Sequence, residues 1–422
     1  MLLKIIPGSE ASAQLAAMRQ RAAEANREIA AAAEKILADV RARGYEAVRE
    51  YSLKFDRAEP CEIPRERLEA AYAAIPDALR QALEHAAENI RAYHLQHVPE
   101  SWTWHKDEQR TLGQVIRGLD RVGIYVPGGT AAYPSSVLML AIPARCAGVR
   151  EIVMVTPPTE NLSDTVLAAA HIAGVDRVFG VGGVQAVAAL AYGAGMIPRA
   201  DKIVGPGNAY VAAAKRAVYG TVDIDMVAGP SEVLVLADES ADPRFAAADL
   251  LGQAEHDKLA SAILVTTSQK LAEETAAELE RQLADLSRRD IAEASVRDWG
   301  AAVVCGTLGE AAAIANEVAP EHLEIMTERP REVLPMIRNA GAVFLGAYTP
   351  EPLGDYLAGP SHVLPTSGSA RFFSPIGVDS FLKRMSVIEY TCGALREEAS
   401  DITTVAYAEK LTAHARAVEV RA

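Results

Sequence analysis

From Val115 to about Leu345, short apolar β-rich runs alternate with alanine-rich runs of helical character, and this alternation constrains the fold more than any other feature. The apolar runs are Arg121–Val126, Glu151–Thr156, Arg177–Val181 and Lys202–Val204, then Glu232–Ala237, Ala262–Thr266, Ala301–Val304 and Ala342–Leu345. A strand open to water on one face shows polar residues at every second position. Strands that are continuously apolar are covered on both faces, and helices between them make the units parallel βαβ crossovers. The expectation is an α/β protein with parallel sheets. Two such blocks agree with a length of 422 residues, at roughly 150 per domain.

The flanks read as helix. Residues 9 to about 98 place Ile29, Ile36, Leu37 and Val40 on one face, with Gly44 where a C-terminal cap belongs. A second helical run spans Pro64 to Leu95, entered through Pro64. After Asp379 the chain returns to helix, amphipathic from Leu395 to Val420.

Composition narrows the partners. Forty-two Lys and Arg against 56 Asp and Glu leave a formal charge of −14. That argues against nucleic acid and against anionic membranes, both of which ask for a basic face. The apolar stretch Val137–Ile142 is far below the ~20 residues of a membrane span, and the N-terminal run Met1–Ile6 is too short for a signal segment, so a cytoplasmic protein is expected. Cys61, Cys146, Cys305 and Cys392 form no CxxC pair and read as reduced, buried packing residues.

Five segments can carry chemistry. Glycine-rich turns follow apolar strands at Val122–Gly129, Gly180–Gln185 and Gly205–Asn208; glycine admits close backbone approach, and the helix that follows offers N–H groups to an anion. None completes GxGxxG, so a dinucleotide site here is unorthodox, and tight βα turns of any parallel sheet read the same way. In Gly252–Asp257, Gln253 and His256 lie three apart on one helix face and could converge on one ion, although such a pair is also an ordinary solvated face. In Ala319–Glu324, the adjacent Glu321 and His322 follow a proline at an element boundary, where an imidazole can serve as proton acceptor. The loop Gly354–Gly368 joins Asp355 and His362 to several Gly and Pro, a composition suited to a site. Glu409 and His414 end the last segment, which reads on its own as a helix terminus.

Together these pieces resemble histidinol dehydrogenase nearly end to end: Lys54-Phe55-Asp56, YVPGG, GPGNAYV, AGPSEVLVLAD, GQAEHD, APEHLEI, the loop from Gly354 to Gly368 and the final LTAHA. The resemblance implies two incomplete Rossmann-like domains with parallel sheets, plus small N- and C-terminal helical elements. The divisions would be an arm at 1–20, a first domain from 21–124 and 233–376, a second at 125–232, and a tail at 377–422. It implies NAD as cofactor, contacted by Tyr125, Gln185 and Asn208, and one zinc ion per subunit, held by Gln253, His256, Asp355 and His414. Ser231, His362 and Glu409 would complete the substrate pocket with those ligands and His322. The implied reaction, the last steps of histidine biosynthesis, takes L-histidinol through L-histidinaldehyde to L-histidine with two NAD. In it His322 accepts the hydroxyl proton and Glu321 activates water, with no catalytic cysteine. The family forms a homodimer with shared sites, to which the tail bearing His414 reaches across. The rival readings are the same scaffold acting on another small alcohol, such as a sulfonated diol, and a metallohydrolase.

Overall fold

The computed structural model describes residues 2–12, 26–128, 133–158, 162–227 and 229–422. Gly129 of the first glycine-rich turn, Ala228 of AGPSE and the second part of the expected N-terminal arm, from residue 13 on, lie outside the described residues.

In chain order the strands begin with β1 (Lys4–Pro7), β2 (Cys61–Ile63), β3 (Trp102–Asp107), β4 (Arg110–Gly118) and β5 (Arg121–Tyr125). They continue with β6 (Glu151–Thr156), β7 (Arg177–Gly180), β8 (Lys202–Val204), β9 (Asp223–Ile224), β10 (Glu232–Ala237) and β11 (Ser261–Thr266). The last are β12 (Ala301–Val304), β13 (His322–Met326), β14 (Ala342–Leu345) and β15 (Leu382–Tyr390). Two six-stranded sheets result. One runs β1-β12-β11-β10-β13-β14, all parallel. The other runs β2-β7-β6-β5-β8-β9, parallel except for the antiparallel edge strand β2. The expected α/β class with parallel sheets holds.

Successive residues of each central strand supply opposite cores. In the second sheet Val122, Ile124, Ile152 and Met154 face helices Pro134–Cys146 and Asp164–Ala173, whereas Tyr125, Val153, Val155 and Phe179 face helices Gly183–Tyr192 and Ala209–Val218. Both faces are buried, which is why these strands carry no polar alternation.

Three expectations are corrected. Helix Asn26–Arg43 lies on helices Gly183–Tyr192 and Ala209–Val218, helix Arg65–Ala74 on Asp164–Ala173, and helix Asp77–Leu95 on Pro134–Cys146. Residues 26–95 therefore pack around the second sheet, while β1 joins the first. This differs from the expected grouping of 21–124 with 233–376. An amphipathic face says that a helix is covered but not by what. Second, Arg110–Gly118 and Leu382–Tyr390 pair antiparallel along nine residues, with β3 on the other side of β4, so the tail begins as a strand. Third, Cys61 and Cys392 are exposed, on an edge strand and at the start of a helix; Cys305 alone is fully buried.

The turn Gly205–Asn208 rests on a buried ion pair. Lys215 pairs with Asp225; Lys215 Nζ also donates to the Gly205 carbonyl (2.8 Å), and Asp225 accepts from the N–H of Gly205 (2.7 Å). Lys215→Met should therefore lower stability by about 3–5 kcal/mol, because it strands the Asp225 charge in the interior. Urea unfolding measures this; a loss under about 1 kcal/mol would mean Asp225 takes up a proton without cost.

Candidate active site

Helix Leu308–Val318 ends at Ala319 in a left-handed conformation (φ 50°), and after Pro320 the chain enters β13. Leu323 and Ile325 face one core and Met326 the other, so His322 and Glu324 share the face covered by helix Pro243–Ala254. Glu321 and His322 are both fastened to β10. Oε2 of Glu321 accepts from the Glu232 N–H (2.9 Å), and Nδ1 of His322 lies 3.1 Å from the Glu232 carbonyl oxygen. A carbonyl only accepts, so Nδ1 carries a proton, and whenever the ring is neutral its lone pair stands at Nε2. That Nε2 is buried without a hydrogen-bond partner; Oδ1 of Asp355 stands 3.6 Å away and Oε2 of Glu321 3.8 Å from Nδ1.

Two helix ends close around this nitrogen. Helix Pro243–Ala254 delivers Gln253, buried, with His256 just beyond its C-terminus; helix Glu351–Tyr356 delivers Glu351 and Asp355, four apart on one face. The Gln253 amide donates to Oε2 of Glu351 (3.2 Å) and accepts from the Glu232 N–H (3.1 Å). His362 donates from Nδ1 to the Asp355 backbone carbonyl (3.0 Å) and accepts at Nε2 from the Ser136 hydroxyl (3.2 Å). Ser231 is half-buried at the entrance to β10, its carbonyl bonded to the N–H of Ser261 (3.0 Å).

The charges are crowded. Burial pushes Glu321 up to about 7, opposed by the neighbouring His322. Burial alone would lower His322, but the carboxylates of Glu321, Asp355 and Glu351 outweigh it and raise the imidazole well above its usual range. Glu351 is raised, chiefly by burial. Asp355 is lowered despite burial, through its contact with His322 and the charges of His362 and His256. His256 is still reached by solvent, yet the protein around it lowers its pKa by desolvation, against the charge of Asp355. Such an excess of carboxylate around one imidazole suits a cation. Among the described residues, donor atoms of His322, Glu351 and Asp355 lie within 4.8 Å of one another.

Of the expected site residues, Glu321, His322, Gln253, His256, Asp355 and His362 are thus brought together. Glu409 and His414 are not. Both are exposed on the tail, where helix Thr412–Glu419 packs on helix Cys392–Ala408 and that helix on β15. Tyr125, Gln185 and Asn208 stand at the carboxyl edge of the second sheet, each with a protein partner already: Tyr125 Oη accepts from the Gly183 N–H (3.1 Å), Gln185 donates to Asp56 (3.1 Å), and Asn208 caps helix Ala209–Val218. Glu321 and His322 instead sit at the amino edge of the first sheet. The Ser136–His362 hydrogen bond joins the two, since Ser136 begins the helix after β5.

Sequence reasoning missed Glu232, Ser136 and Glu351. Glu351 alone had a signal, its helical spacing to Asp355; nothing near Ser136 in the chain marks it.

A family model described as histidinol dehydrogenase matches residues 19–422. The chain belongs to the histidinol dehydrogenase family. It is 51% identical over 415 residues to the histidinol dehydrogenase of Geobacter sulfurreducens, covering 97% of each chain, and 54% identical over 391 residues to that of Bacillus subtilis, covering 92% of this chain and 91% of the other. The crystal structure of the histidinol dehydrogenase from Elizabethkingia anophelis superposes with a TM-score of 0.88 at 38% identity, over 92% of this chain and 91% of that one. An acetylating aldehyde dehydrogenase from Geobacillus thermoglucosidasius, at 14% identity and a TM-score of 0.51 over 91% of this chain and 98% of that one, shares the fold alone. The protein is an NAD-dependent oxidoreductase acting on an alcohol and its aldehyde, and neither rival reading is favoured. No helix among the described residues is long and apolar enough to cross a membrane.

Proposed function

We propose that the chain oxidises L-histidinol through L-histidinaldehyde to L-histidine, reducing two NAD, at a site that holds one zinc ion and is completed by a partner subunit. The observation that carries this reading is the buried, unpartnered Nε2 of His322, held by the Glu232 carbonyl in the tautomer that can accept a proton. Zinc, when bound, anchors the imidazole and amino nitrogens of the substrate, and NAD accepts the hydride of each oxidation.

The donor set fits such an ion. Gln253, His256 and Asp355 supply an amide oxygen, an imidazole and a carboxylate from two helix ends beside His322, and His414 of the partner subunit would be the fourth ligand. His322 takes the hydroxyl proton of the alcohol at Nε2 as hydride leaves the adjacent carbon. The aldehyde must then be hydrated. Glu321, whose raised pKa matches neutral conditions, draws a proton from the water that attacks it. His322, once it has given its first proton up to solvent, takes a proton from the resulting diol during the second hydride transfer. Ser231, His362 and Glu409 line the substrate, the last again from the partner subunit. Tyr125, Gln185 and Asn208 meet NAD.

Dimer formation is supported by what the tail leaves uncovered: Met385, Val387 and Ile388 on β15 and Val405, Tyr407 and Leu411 on the helices after it are all exposed. Several exposed apolar side chains on one segment mark an interaction surface.

Exhaustive chelation should reduce NADH formation from L-histidinol below detection, and added Zn²⁺ should restore it with about one zinc per chain by elemental analysis. Full turnover in verified metal-free protein would remove zinc from the reading.

A further inference from the structure

We propose that Asp56, in the N-terminal helical segment, is a positioning residue for the cofactor: its carboxylate sets the side chain of Gln185 and the Gly182–Gly183 turn. The proposal rests on the reading of Gln185 as an NAD contact. Asp56 caps the end of helix Tyr45–Phe55, which packs against helix Gly183–Tyr192. One carboxylate oxygen, Oδ2, accepts both the Gly182 N–H (3.1 Å) and the Gln185 Nε2 (3.1 Å). Because Nε2 is claimed by Asp56, the amide is locked with its oxygen turned back over the glycine turn. There an added Cβ on Gly183 would lie 2.9 Å from Gln185 Oε1. Gly183 itself has φ 62° and gives its N–H to Tyr125 Oη, and an added Cβ on Gly182 would meet Pro157 at 2.6 Å and Asp56 at 3.0 Å. The turn is clamped from both sides.

A consequence follows for recognition. In a phosphate-binding turn, the N–H groups entering the helix point at the diphosphate of the cofactor. Here the N–H groups of Gly182 and Gly183 are taken by Asp56 and Tyr125. Those two groups cannot cradle a diphosphate while Asp56 and Tyr125 hold them. The turn therefore acts on NAD through the fixed orientation of its side chains, which agrees with the missing GxGxxG.

Initial rates of Asp56→Ala, Asp56→Asn and Gln185→Ala, with NAD and L-histidinol varied in turn, test this. Asp56→Ala should raise KM for NAD about tenfold, as expected when two hydrogen bonds that fix one contact are lost. KM for L-histidinol and kcat should stay within about twofold of wild type. Asp56→Asn, whose amide oxygen can accept from the same two donors, should recover most of the loss; a merely structural role would not give that split and rescue. Should the alanine variant fail to fold, Asp56→Ser, polar but too short to reach either donor, repeats the measurement. An unchanged KM for NAD in the Asp56 variant while Gln185→Ala raises it would overturn the proposal. An unchanged KM in Gln185→Ala would overturn the reading of Gln185 itself, and the proposal with it.

Discussion

Glu321→Gln should slow oxidation of L-histidinaldehyde by about 10²–10⁴-fold while sparing oxidation of L-histidinol, whereas His322→Ala should slow both by that range. The asymmetry comes from the water. Removing hydride from an alcohol needs a proton acceptor at its oxygen and nothing more, and in the proposed reaction Nε2 of His322 is that acceptor. An aldehyde has no hydroxyl until it is hydrated, and Glu321 beside His322 is the group with a pKa near neutral that can activate water. A carboxylate base works only when ionised, so the aldehyde half should also decline as pH falls through about 7. Glu321→Gln should lack that limb. The two half-reactions are measured separately on folded, zinc-loaded protein. Equal losses in both halves for Glu321→Gln would make Glu321 a group that only orients His322.

Mixing His414→Ala chains with Glu321→Gln chains, each nearly unable alone to form L-histidine, should restore about a quarter of the wild-type rate of L-histidine formation, since half the dimers would be mixed with one of their two sites intact. Both lesions would then fall in the other site of the mixed dimer. His414 lies exposed on a helix that packs on its own tail and, through it, on β15, while Gln253, His256 and Asp355 meet around His322 without it. The tail of a second copy can supply what the chain's own tail does not bring. No recovery after verified subunit exchange would assign His414 to its own chain.

Much of this was legible in the residues. The strands Glu151–Thr156, Lys202–Val204, Glu232–Ala237, Ala301–Val304 and Ala342–Leu345 stand where the apolar runs placed them. Burial on both faces leaves a local mark, an unbroken apolar run, and that mark needs no knowledge of the neighbours. The Glu321–His322 dipeptide and the Gln253–His256 spacing were legible for the same reason, since their partners are close in the chain. Contacts between distant segments leave no such mark. β15 reads as helix-prone in isolation and becomes a strand because β4 offers nine residues of antiparallel pairing. The helices of residues 26–95 declare an apolar face, but only packing decides that it covers the second sheet. Ser136 on His362, Glu232 under both Glu321 and His322, and Asp56 on Gln185 each join residues 89 or more positions apart. By itself the sequence determined the class of fold, because an unbroken apolar run is written in residue type and short-range period, and it marked Gln253–His256 and Glu321–His322 as candidates for a site. Only the tertiary structure decided which edge of which sheet holds that pair and which tautomer His322 adopts. It also left His414 of the tail apart from the residues gathered around His322. Those depend on hydrogen bonds and packing between segments whose order along the chain says nothing of their distance in space.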